Sequence, residues 1–135
     1  MLGKRKVRKF AFELLFGYEF NKEESAVDYY NKAFDNFICE DDEEESVKSL
    51  FLGVCENIKE IDDSISKNLS GNWKISRLSV ATLAIMRISV YEMVYAKLPC
   101  AISINEAVEF AKEYGEDGAP SYINGVLNNI AKSLS

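Results

Sequence analysis

Between Val80 and Tyr95 almost every side chain is apolar, with only Thr82, Arg87, Ser89 and Glu92 intervening. A helix built from such a run has no polar face to give to water, so other elements must cover it on most sides. The remainder of the chain therefore has to supply amphipathic helices that surround it. No strand signal competes, because period-two alternation is absent and both prolines, Pro99 and Pro120, fall at helix boundaries. At 135 residues and 47% hydrophobic, the chain is long and apolar enough for one domain whose core needs no metal or disulfide.

The surrounding helices are legible from three- and four-residue apolar steps. Val7, Phe10, Ala11, Leu14, Leu15 and Tyr18 predict a first helix over Lys4–Phe20. Val27, Tyr30, Phe34 and Phe37 predict a second. Val47, Leu50, Val54, Ile58, Ile61 and Ile65 predict a third, with Asp62 and Asp63 able to cap a new short helix. Three helices thus fill the first half. Small polar residues around Trp73, from Ser70 to Ser76, break the periodicity and mark a lobe boundary. The expected division is an N-terminal lobe over 1–70, a linker over 71–78 and a C-terminal lobe over 79–135. Within the second lobe, Ser103-Ile104-Asn105-Glu106 reads as a capping box that opens a helix from Ile104 to Tyr114, stopped by Gly115. Gly118 and Pro120 then start a last helix whose stripe is Ile123, Leu127, Ile130 and Leu134. Gly125 inside it costs about 1 kcal/mol relative to alanine, which implies a compensating close backbone approach.

Charge is distributed unevenly. The net charge is −6, yet residues 1–20 carry Lys4, Arg5, Lys6, Arg8 and Lys9 against only Glu13 and Glu19. Glu40–Glu45 is wholly acidic and reads as a solvated loop between helices, facing away from whatever partner the basic end meets. Cys39, Cys55 and Cys100 are odd in number and far apart, so they read as free core thiols of a reducing compartment. No secretory leader or membrane-length apolar run is present, and a cytoplasmic location is expected.

On a helical wheel the first helix sets Arg5, Arg8, Lys9, Phe12 and Phe16 opposite its apolar stripe. Cations crowded at a helix N-terminus oppose the macrodipole, so the fold alone gives no reason for them; an anionic partner does. Arginine and lysine pair with phosphates while flat rings stack on unpaired bases, a combination suited to single-stranded RNA. Two bland readings stay open: Phe12 and Phe16 can instead pack against the second lobe, and the basic run can be a solvated surface. A membrane anchor fits poorly, because the apolar face is needed for the core. Catalysis has little footing. The chain has no histidine, no recognisable nucleophile motif, no spaced metal ligands and no phosphate-cradling glycine loop, so no enzyme activity, metal, cofactor or small-molecule substrate is expected.

The second half carries the most specific motifs. Trp73, Arg77-Leu78, Ile85-Met86-Arg87-Ile88, Tyr91-Glu92-Met93, Pro99, Ile104-Asn105-Glu106-Ala107-Val108-Glu109, Ala111-Lys112 and Tyr122-Ile123-Asn124-Gly125-Val126-Leu127 resemble the NusB family in order and spacing. The basic start and the Ala11–Phe16 helix resemble that family's first helix. The likeness covers nearly the whole chain and is weakest over about 21–47. It implies an all-α fold of about seven helices in two three-helix-bundle-like lobes. It also implies a factor that binds boxA-type single-stranded RNA of ribosomal RNA transcripts with the ribosomal protein NusE, within an antitermination complex on RNA polymerase. By matching position, Lys4, Arg5, Lys6 and Arg8 contact phosphates, Phe16 is the RNA-facing aromatic, and Tyr122 supplies a second aromatic that the wheel does not find. Thr82 stands where relatives carry an acidic residue near the NusE-facing surface and is the expected partner contact, altered or weaker than theirs, and the turn Gly115-Glu116-Asp117-Gly118 has glycine where relatives often have another polar residue close to the RNA site. Arg87 and Asn124 match the family and read first as structural, satisfying buried backbone groups or bridging helices.

Two other functions remain in view. A protein-interaction adaptor without direct RNA binding would turn its basic end to an acidic protein. NusB-like domains also occur fused to RNA methyltransferases, but such an enzyme needs a cofactor-binding domain that is not legible here.

Overall fold

The apolar run folds as expected into a helix enclosed by others. The computed structural model describes residues 4–33, 41–69 and 74–134, with the side chains of Lys4, Asp41 and Asp42 outside that description. Among the described residues are seven α-helices and no strand: α1 Lys4–Tyr18, α2 Ala26–Ala33, α3 Asp41–Glu56, α4 Ile58–Lys67, α5 Val80–Val94, α6 Cys100–Tyr114 and α7 Ala119–Ser133. A 3-10 turn over Ile75–Arg77 precedes α5. The acidic and aromatic readings at 34–40 and the Trp73 boundary lie outside the described residues.

The chain forms two compact units, Met1–Glu56 and Asn57–Ser135. The first is a three-helix bundle of α1, α2 and α3, each packed on the other two. Phe51 is fully buried at its centre, ringed by Tyr18, Tyr29 and Tyr30 with centroids 5.9, 6.3 and 6.1 Å away. Ring pairs of this kind add about 0.5–1.5 kcal/mol each beyond the area they bury. Gly17 lets α2 come close: a Cβ there would stand 2.1 Å from the Tyr29 hydroxyl.

In the second unit α5 packs against α4, α6 and α7, and every residue from Thr82 to Val90 is buried. Ser79 caps it by accepting a hydrogen bond from the Thr82 amide at 3.1 Å, which satisfies one otherwise orphaned donor. The boundary between units falls at Glu56/Asn57, ahead of the expected linker, because α4 belongs with α5. Ile61 and Ile65 are buried, and Asp62, instead of capping a helix, accepts two 2.8 Å bonds from the Arg87 Nε and Nη2 groups. Arg87 thus bridges helices. Among the described residues the first half accordingly holds four α-helices, where three were expected.

Two further boundaries differ. Helix α6 begins at Cys100, where the Pro99 carbonyl accepts from the Ile102 and Ser103 amides. Ser103 is therefore inside the helix, and its buried hydroxyl pairs with Ser89 Oγ at 2.8 Å and donates to Glu92 Oε1 at 2.9 Å. From Asp41 onward the acidic run is the first turn of α3 rather than a loop. Carboxylates are favoured there by the positive end of the helix dipole. Gly118 caps α7 at φ +84°, a left-handed conformation that a residue without Cβ adopts freely. No described helix is long and apolar enough to cross a membrane.

Candidate nucleic-acid interface

Helix α1 has no acidic residue in its first turn and no basic residue in its last, the reverse of what its dipole favours. Its inner face buries Ala11, Leu14 and Leu15. On the outer face Arg5, Lys6 and Lys9 are exposed. Lys6 Nζ sits 5.9 Å from the Phe10 ring centroid and 3.4 Å from Glu43 Oε1 in the first turns of α3. The acidic run thus lies beside the basic run, contrary to the expectation that it faces away. An ion pair this open to water contributes about 0–1 kcal/mol.

The wheel's face is only partly an outer one. Phe16 is 40% exposed, whereas Phe12 and Arg8 are each 7% exposed. Both were expected on the side away from the core, and burial corrects that placement. An arginine can sink its three-methylene stem among apolar neighbours, and Phe12 is large enough that burying it outweighs a marginal wheel position. Phe12 still touches the outer face through Phe16, with ring centroids 6.1 Å apart. The Phe16 ring continues to Phe20 at 5.5 Å and an interplanar angle of 57°. Phe20, 62% exposed, was missed in the sequence although it follows Phe16 at the same four-residue step that links Phe12 to Phe16.

Tyr122 lies in the other unit, in the first turn of α7, where its amide donates to the Gly118 carbonyl at 3.1 Å. Its ring is half-buried, and burial raises its phenol above the ordinary value. Thr82 offers no contact surface. It is 1% exposed, with Oγ1 3.4 Å from Glu116 Oε1, so the expectation of a partner contact there is corrected by its burial at the start of α5. Asn124, read first as structural, is exposed, its carbonyl and Oδ1 both accepting from Asn128 Nδ2. No group of three or more His, Cys, Asp or Glu side chains capable of holding a metal occurs among the described residues.

What this outer face of α1 offers chemically is a line of cations leading into exposed rings, a surface for an anionic, partly aromatic polymer. Residues 5–132 match the NusB family. The chain is 37% identical to the transcription antitermination protein NusB of Clostridium novyi, over 98% of this chain and all of that protein. It is similar to the crystal structure of T. maritima NusB, with a TM-score of 0.85 and 33% identity over 95% of this chain and 89% of that one. It is similar also to the NusB of a solved complex of antitermination factors NusB and NusE with double-stranded RNA, with a TM-score of 0.85 and 27% identity over 98% of each chain. The chain belongs to the NusB family.

Proposed function

We propose that this protein is an RNA-binding transcription antitermination factor, which binds boxA-type single-stranded RNA of ribosomal RNA transcripts together with NusE. It acts in the cytoplasm as part of an antitermination complex on RNA polymerase, by positioning and without a covalent step. The observation that carries this reading is the exposed strip of Arg5, Lys6, Lys9 and Phe16 on α1. The cations neutralise phosphates, and the ring stacks on a base that a duplex would enclose. Lys4 precedes the same strip. Arg8 and Phe12 support it from beneath, and Tyr122, in the other unit, is carried over as an RNA-contacting aromatic from the family resemblance alone. The relatives' name and the NusE-containing neighbour support the choice of RNA and partner. RNA and NusE reinforce one another because each favours the same composite assembly.

The test is a titration of a boxA-type RNA and a scrambled control, with and without NusE, across salt concentrations. The boxA strand is expected to bind more tightly than the control, and more tightly still with NusE. Three exposed cations on phosphates give a log–log salt slope of roughly −2, at about −0.7 per contact. Lys9→Ala flattens that slope by about 0.7, whereas Phe16→Ala weakens binding by about 1–3 kcal/mol with the slope unchanged. Absence of RNA affinity in every condition would replace this reading with that of a protein-only adaptor.

A further inference from the structure

Resting on the reading of α1 as an RNA-binding helix, we propose that Phe20 is a second base-stacking residue, so that Phe16 and Phe20 form one platform for unpaired bases. Three observations converge on it. The first is alignment. Counting about 100° per residue, Arg5, Lys9, Phe16 and Phe20 fall in one stripe along α1 and its closing turn, and all four are exposed. A four-residue step advances about 6 Å along the helix, near the reach of one nucleotide of an extended strand. A strand whose phosphates meet Arg5 and Lys9 is thereby led over the two rings.

The second is preorganisation. Phe20 lies just past the last turn of α1, and it is not left loose there. The Gly17 carbonyl accepts from the Phe20 amide at 3.1 Å and from Asn21 Nδ2 at 2.8 Å, while the Asn21 amide donates to the Tyr18 carbonyl at 2.9 Å. These bonds satisfy carbonyls that would otherwise present the negative end of the helix to a phosphate. They also hold the ring against Phe16. The one carboxylate adjacent in sequence, Glu19, is paired with Lys22 at 3.0 Å.

The third is the geometry of the rings. Their 5.5 Å centroid separation and 57° tilt leave no room for a base to enter between them, which would take two stacking distances. The outer ring face of Phe20 is what remains open. A single strand can lay a base on it, whereas a duplex keeps its base faces inside its own stack.

The test compares wild type, Phe16→Ala, Phe20→Ala and Phe20→Trp on a single-stranded boxA-type RNA and on a duplex of the same sequence closed at both ends by loops. The strand carries 2-aminopurine at successive positions. Phe20→Ala is expected to weaken the single strand roughly 5- to 150-fold, to leave the duplex and the salt slope unaltered, and to abolish quenching at one position. Phe20→Trp is expected to keep both affinity and quenching. Because the side chain is mostly exposed, an unchanged melting temperature accompanies these results. Loss with Phe16→Ala but not Phe20→Ala overturns the proposal while leaving the RNA-binding reading intact. Equal loss on the duplex, or a defect confined to NusE binding, overturns it in favour of a different occupant. Wild-type protein that binds no RNA in any form overturns both together.

Discussion

Gly125 sits in the interior of α7 with nothing within 4 Å of the position a Cβ would take. Its backbone is ordinary, since Gly118 is the only described glycine with a positive φ. Glycine there pays the helix penalty without the close approach anticipated from its sequence position. Gly125→Ala is therefore expected to raise stability by about 0.5–1 kcal/mol, read as a higher urea midpoint with an unchanged slope. Gly115 is the opposite case: a Cβ would stand 2.7 Å from the Ala111 carbonyl oxygen and 2.9 Å from Ala119 Cβ. Sequence alone does not separate the two, because propensity is local and a close approach is made by residues from elsewhere. The same limit explains Arg8 and Phe12. A wheel knows one helix and one inner direction, and it misplaces side chains near the edge of the stripe. Arg5, Lys9 and Phe16, farther from the core, are exposed as the wheel places them.

At the scale of elements, α4 shows what patterning reads and what it does not. Its apolar Ile58, Ile61 and Ile65 are plain in the sequence, yet Asp62 has the look of a cap and is in fact bonded to Arg87 on α5. Side-chain relative exposure is 7% for Arg87 and 30% for Asp62, so the pair is only half-shielded from solvent. Arg87→Ala is expected to cost about 1–3 kcal/mol, as the loss of charge-assisted hydrogen bonds. Amides near Ile61 and Ile65 should exchange faster than those of α6. Arg87→Lys should not restore protection, because a lysine cannot make the two-pronged contact. The start of α6 was hidden for a related reason. Ser103 has the right spacing to Glu106 for a capping box, but its hydroxyl is committed to Ser89 and Glu92, a tertiary arrangement that no local motif reports. The central place of α5 was legible because it follows from how much apolar surface needs cover, whereas the count of seven helices came from the family resemblance and the apolar steps alone gave one fewer in the first half.

The whole molecule has no histidine, so no side chain with an ordinary pKa titrates between about pH 5 and 8. Above that range the phenols carry shifts that bear on stability. Burial raises Tyr18, with the nearby Cys55, Glu24 and Glu23 adding to it. Burial and Glu24 raise Tyr29, and burial raises Tyr122. A raised pKa means that the fold prefers the neutral phenol. The associated stability is complete below the unfolded value near 10 and drains away as pH climbs through the higher folded values. Both units carry such a tyrosine, so the urea midpoint should fall steeply above about pH 10 as phenolate absorbance rises. A midpoint that holds while the phenols ionise would contradict this. Polarity at this scale was also legible, in the basic beginning of an otherwise acidic chain. What the pattern did not show is that the two extremes meet, with Glu43 at Lys6. For a strand arriving there, Glu43 is a tethered counterion. When phosphate displaces it, the RNA still releases its own condensed cation to the bulk, so Lys6 keeps its share of the salt slope while the broken ion pair lowers the affinity that lysine adds. Counting contacts from the salt slope alone then still returns every cation touching the RNA, Lys6 included, whereas affinity alone undercounts it.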